Sequence, residues 1–160
     1  MSNLSKKSGC LGIFLDFLQG KSNANAAELT FPYGLKDAFL SPAERSFFGV
    51  LQKVIAKDQY LLTKVNLSDL FYVKRPHENR ASRNRIDRKH VDFVICRSDT
   101  MQPVIGIELD DKSHNRVDRQ KRDALVDQVF KAAGLSLIHV KAQKSYNVEE
   151  IKAQITHALK

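Results

Sequence analysis

The sequence predicts a mixed α/β sandwich, in which a leading helix precedes a sheet and a long helix separates its last two strands. Three observations carry this prediction. Apolar runs of strand length recur, apolar residues recur at helical spacing, and helix-start motifs stand near both ends of the folded region. In chain order the elements read α-β-β-β-α-β-α.

Ser41-Pro42-Ala43-Glu44 opens the first helix. Ser-x-x-Glu is a capping box, and proline suits the first helical position. Ala43, Phe47, Val50, Leu51 and Val54 then give one apolar face, to about Lys57. Tyr60 to Val65 is rich in strand formers, Val91 to Cys96 is a second strand, and Val104 to Leu109 a third, with the turn at Asp99 to Pro103. Asn115 to Ala133 reads as a long helix that buries Leu125, Val126, Val129, Phe130 and Ala133 and stops at Gly134. Leu135 to Val140 is the fourth strand. Asn147-x-x-Glu150 is a second capping box, opening a helix with Val148, Ile151, Ile155 and Leu159 inward.

The chain has 160 residues, enough for one domain with a proper core. Residues 31–160 are assigned to that domain. Residues 1–30 are read as an amphipathic helix and a flexible linker. Leu11, Phe14, Leu15 and Leu18 share one helical face, and Asp16 interrupts an apolar run too short to span a bilayer. A helix docking a partner or a membrane surface is expected there rather than a signal peptide. No transmembrane segment is expected. The two cysteines, Cys10 and Cys96, set no disulfide framework, which points to a reducing, cytoplasmic setting.

Lysine and arginine outnumber aspartate and glutamate 26 to 18, for a formal charge of +8. Such an excess attracts polyanions, nucleic acid or an acidic membrane surface. Much of it lies in KRPHENRASRNRIDRKH, residues 74–90, a polar, basic connection. Lys74, Arg75, Arg80, Arg83, Arg85, Arg88 and Lys89 face only Glu78 and Asp87 there, a net +5. Arginines hold phosphate oxygens in bidentate fashion. The segment carries no base-reading motif, so backbone contact with little sequence preference is expected. The plainer reading is a solvated loop.

The acids of the strands raise the chemical question. In IGIELDD, Ile105, Ile107 and Leu109 share one strand face, and Gly106, Glu108 and Asp110 share the other. In VDFVIC, Asp92 is expected on the face opposite Val91, Phe93 and Ile95. A carboxylate there is costly to bury unpaired. If the two strands are neighbours, Asp92 and Glu108 converge and repel, and a divalent cation removes the repulsion. Oxygen ligands suit Mg²⁺ or Mn²⁺. The alternative is a network of ion pairs, Asp92 with Lys89 and Glu108 with an arginine of the next helix.

Asp92 followed by Glu108-x-Asp110, within α-β-β-β-α-β, resembles the restriction-endonuclease-like PD-(D/E)xK nuclease superfamily. LSPAERSFF (40–48), KHVDFVIC (89–96), IELDDKSH (107–114), RQKRDALVDQVFKAAGL (119–135) and the terminal strand-helix resemble, more closely, the bacterial domain-of-unknown-function 2726 family. This resemblance runs from about Pro32 to the C-terminus. It implies an αβββαβ core, a mixed sheet flanked by helices, Asp92 and Glu108 as ligands of Mg²⁺ or Mn²⁺, and Glu44 as a further acid of the site. The arrangement is also similar to that of very-short-patch-repair endonucleases, which implies His114, six residues after Glu108, as general base. A near-neutral imidazole is apt for that role. The superfamily places a lysine where this chain has Asp110. Lys112, His114, Lys121 or Arg122 stand near enough in sequence to replace it. Asp110 itself is then a third ligand or the orienter of His114. Glu44 has a second explanation, as the acid of the capping box. His139 reads as a satisfied core or surface histidine.

Two functions follow as expectations. One is a metal-dependent nuclease hydrolysing phosphodiesters, with DNA as the expected partner and Arg75, Arg80, Arg83, Arg85, Arg88 and Lys89 on its backbone. The other is a non-catalytic nucleic-acid-binding module that keeps the fold. A third class, a membrane-peripheral or interaction domain, would use the N-terminal helix with basic residues.

Overall fold

A computed structural model of the chain describes residues 31–110 and 117–159, with the side chains of 117–123 left outside the description. Ala38–Lys160 gathers into one compact unit, distinct from Met1–Asp37. In the latter, residues 31–37 form neither helix nor strand. The amphipathic helix expected within residues 1–30 lies outside the described residues.

The elements are α1 (Pro42–Val54), β1 (Gln59–Asn66), α2 (Leu67–Leu70), α3 (Arg80–Ile86), β2 (His90–Arg97), β3 (Pro103–Asp110), α4 (Val117–Ala133), β4 (Ser136–Lys141) and α5 (Val148–Ala158). The four strands lie in sequence order in one mixed sheet. β1 with β2, and β2 with β3, are antiparallel, whereas β3 and β4 are parallel. The parallel pair follows from α4, which carries the chain back to the end of the sheet where β3 began, as a crossover helix must. The class is the mixed α/β sandwich expected, with two short helices added.

Each face of the sheet is covered. Phe47 and Leu51 of α1 and Ile151 and Ile155 of α5 pack on Phe93, Ile95, Ile105, Ile107 and Leu109. Val126 and Phe130 of α4, with Leu67 and Ile86, pack on Val91, Val94 and Cys96. Cys96 is the small buried hydrophobe expected, and burial pushes its thiol up. Gly106 lies under α4. A Cβ there would stand 2.3 Å from Phe130 Cε1, so only glycine admits the helix at this depth.

The capping box at Ser41 forms in both directions. The Glu44 N–H donates to Ser41 Oγ at 3.3 Å, and the Ser41 N–H donates to Glu44 Oε2 at 2.8 Å. Gly134 ends α4 at φ +73°, the left-handed value that stops a helix. Asn147 caps α5 by accepting from Glu149 and Glu150 N–H, and its own amide donates to the Glu150 side chain at 3.2 Å. Two expected core positions are exposed instead. Ala133 is the last residue of α4 and Leu159 lies just past the end of α5.

The basic connection is a correction of another kind. It is not a continuous loop, since Arg80–Ile86 is helical. Ile86 is the one large aliphatic residue of the segment, and burying it against the second face draws the flanking arginines into a helix.

Candidate active site

The site grows from one irregular rung of the sheet. β1 and β2 keep a single register on both sides of it, with Thr63 opposite Phe93 and Val65 opposite Val91. Between those pairs stand Lys64 and Asp92. Lys64 has φ +54°, a left-handed backbone in mid-strand. For a residue with a Cβ this costs of order 1–3 kcal/mol. The rung also breaks the alternation of faces. Leu61 packs with the first core layer, while Leu62 and Val65, three apart, both pack with the second. Across the ladder Val91 and Val94 share the second layer, with Phe93 in the first. Val91 therefore does not share a face with Phe93 and Ile95 as simple alternation predicts.

At this rung Lys64 stands beside both Glu44 and Asp92. The Lys64 ammonium donates to Glu44 Oε1 and lies 3.8 Å from Asp92 Oδ1. On the other side, the paired residues of β2 and β3 run from Phe93–Ile107 to Cys96–Pro103. Beyond Phe93 the Asp92 carboxylate takes over: the Leu109 N–H donates to its Oδ2 at 2.9 Å. Asp92 and Glu108 are in hydrogen-bonding contact. Asp92 thus joins Glu44 and Lys64 to Glu108.

The charges respond to this crowding. Burial pushes the Asp92 carboxyl up, and the negative charge of Glu44 adds to the rise; the Leu109 N–H, Lys64 and Glu108 pull against it without cancelling it. Burial also works against ionised Glu44, but the hydrogen bonds from Lys64 and Ser41 outweigh it and hold that carboxyl below its usual range. Glu44 therefore closes the capping box weighed for it and also holds Lys64. One oxygen closes the capping box and the other takes the Lys64 ammonium.

Lys64 is the residue that sequence reasoning missed. The ion-pair alternative matches Asp92 with Lys89; the lysine beside it is Lys64 instead. A signal was present, because Lys64 is the one charge in LLTKVNL, as Asp92 is in VDFVIC. A lone charge inside a strand needs a partner, and here each is the other's.

Asp110 goes elsewhere. It shares the second face with Gly106, and its Oδ1 lies 3.3 Å from His139 Nδ1, whose Nε2 lies 2.9 Å from Asp127 Oδ1. His139 is thus the satisfied histidine expected, held between two aspartates. Burial opposes its charge, but Asp127 and Asp110 prevail and raise it above its ordinary value of 6.5. A group raised in the folded state adds stability that is full below its unfolded value and lost as pH rises through its folded one. His139→Gln is therefore expected to lose most stability, relative to wild type, below about pH 6.5. The gap should close toward pH 8.5, and urea midpoints across that range read it. A gap that widens with pH would refute the charged pairing.

His114, Lys112 and Asp111 lie outside the described residues, as do the side chains of Lys121 and Arg122. Of the basic residues, Arg75 pairs with Glu78 at 3.4 Å and Arg83 with Asp87 at 3.8 Å, both exposed and worth little to stability. Arg80, Arg85, Arg88 and Lys89 make no ion pair among the described residues. Arg88 and Lys89 lead directly into β2 and Asp92.

Among the described residues no group of three or more His, Cys, Asp or Glu side chains is arranged to hold a metal ion. The contact of Asp92 with Glu108 is a pair, which is what Mg²⁺ commonly uses from a protein. Among the described residues no helix is long and apolar enough to cross a membrane. Comparison with curated proteins and with solved structures found no match. A family model, "Protein of unknown function (DUF2726)", matches residues 36–159, which takes in every described helix and strand and the residues Glu44, Lys64, Asp92 and Glu108: the chain belongs to that family.

Proposed function

We propose that the chain is a metal-dependent nuclease with a restriction-endonuclease-like core, hydrolysing phosphodiester bonds in nucleic acid, most simply DNA. The observation that carries this reading is the strained rung at Lys64 and Asp92, which gathers Glu44, Asp92, Glu108 and one lysine at the edge of a basic stretch. Strain at a polar cluster is the mark of a site held for chemistry. Asp92 and Glu108 would hold Mg²⁺ or Mn²⁺. When bound, such a cation supplies Lewis-acid polarisation of a phosphoryl oxygen. Lys64 offsets the negative charge of its neighbours and offers an ammonium to a phosphate. This supplies the positive charge that the superfamily pattern places where this chain has Asp110. Arg80, Arg85, Arg88 and Lys89 hold the backbone of the polyanion.

A second reading, a non-catalytic nucleic-acid-binding module, is favoured by one observation. Lys64 already gives Glu44 and Asp92 a counter-ion, so the cluster can stand as an ion-pair network. Plasmid cleavage in Mn²⁺ by wild type, Asp92→Ala and Glu108→Ala separates the two. Cleavage by wild type that falls at least about 100-fold in both folded variants is expected. No cleavage by any of the three, with retained DNA binding, would select the module.

A further inference from the structure

The face of the sheet under α4 carries a groove that hydrolysis at Asp92 and Glu108 does not use. It encloses ≈ 700 Å³ between residues 70–74, α3 and the C-terminal half of α4. Ile86, Val129 and Leu135 give it an apolar floor. Two cations, Lys74 and Arg85, stand on its wall, exposed and without an ion pair among the described residues. Tyr72 also lines it and is 83% exposed, while its neighbour Phe71 is spent on the core against Phe130. A solvent-facing aromatic beside an apolar floor and two unpaired cations is a costly surface to leave bare.

That combination selects a ligand with a flat apolar body and flanking negative charge. We propose that the groove takes an unpaired nucleobase of single-stranded nucleic acid, with Tyr72 stacked on the base and Lys74 and Arg85 on the adjoining phosphates. Charge complementarity carries the choice of occupant, because both cations belong to the basic stretch read above as the polyanion contact. A duplex could engage the arginines but keeps its bases stacked, whereas a single strand can offer a base to the floor. The inference deepens the nucleic-acid part of that reading and names its substrate class as single-stranded or locally unpaired. Pro103 and Gln102 close one side of the groove, and Glu108 lies further along the same strand, roughly 17 Å away at the rise of a β-strand. A bound strand would thus be anchored at a base some nucleotides away from the bond that is cut.

The test measures fluorescence anisotropy of labelled oligothymidylate, and of a duplex of equal length, with the full chain in the absence of divalent metal. Two variants change the groove at exposed positions that the fold does not need. Tyr72→Ala removes the stacking ring, and Ala132→Leu fills the groove from α4. Affinity for the single strand is expected to fall about 10-fold in each, with less than about twofold change for the duplex. An equal fall for both ligands would reduce the groove to a backbone contact and overturn the proposal. No fall for either would overturn it too, leaving the groove to an apolar segment of a protein. The proposal and the nuclease reading fail separately. Intact Mn²⁺-dependent cleavage with no groove effect sinks the first, and a groove effect without any cleavage sinks the second.

Discussion

Asp92→Asn is expected to yield a protein that no longer cleaves and is more stable than the wild type. The carboxylate sits where burial and the charge of Glu44 both disfavour its ionised form. Asparagine keeps the shape and the acceptor that takes the Leu109 N–H, and its amide can donate to Glu108. It removes the buried charge together with the 3.8 Å pairing to Lys64, which keeps Glu44 as its partner, and the relief of burial is expected to win by about 1 kcal/mol. The pH dependence has a definite sign. An acid whose value is raised on folding makes the wild type lose stability as pH climbs from the ordinary aspartate range, 3.8, through the raised value. The advantage of Asp92→Asn should therefore be present at neutral pH and vanish in acid. Urea unfolding at both ends of that range, beside plasmid cleavage in Mn²⁺, measures the two halves. Should the variant prove several kcal/mol less stable at pH 7, the Asp92–Lys64 pair would be a support of the fold, and the case for a strained site would be lost.

Gly106→Val is expected to destabilise the domain by about 3 kcal/mol or more, the upper range for overpacking a core. The added Cβ would meet Phe130 Cε1 at 2.3 Å, Phe130 Cζ at 2.6 Å and Leu137 Cδ1 at 3.1 Å. Phe130 is 1% exposed and braced edge-on by Phe71 at 4.9 Å, so its ring has nowhere to turn. The remedy follows from the same distances. Pairing Gly106→Ala with Phe130→Leu should cost less than the sum of the two single changes, since one makes the room the other needs. Additive costs in urea melts would mean that α4 shifts bodily instead of holding the ring in place.

The fold was legible where local chemistry decides it. Ser41 to Glu44 fixed a helix start through a cap that needs no distant partner, and Gly134 fixed a helix end. The third strand was legible too, because Ile105, Ile107 and Leu109 alternate without interruption. The rung at Lys64 and Asp92 was not. Reading Val91, Phe93 and Ile95 as one face assumes a regular strand, and the left-handed backbone at Lys64 breaks that rule by a contact across the sheet. The convergence of Asp92 on Glu108 was foreseeable from the adjacency of their strands. Its completion by Lys64 was not, because that lysine lies 28 residues before Asp92 and follows no spacing. α3 was hidden for a different reason: one buried isoleucine among arginines makes no periodic pattern, yet suffices to seat a short helix.

The odd rung has a consequence for how this chain tolerates change in length. Lys64 and Asp92 act as the pivot at which both strands turn over, delivering Val65 and Val91 to the layer beneath α4 and handing Asn66 to the start of α2, where its amide donates to the Asp87 carbonyl at 2.8 Å. Excising either pivot residue would do more than subtract a charge. It would invert everything downstream to the wrong side, so the chemistry of this corner and the handedness of its backbone can only be inherited together.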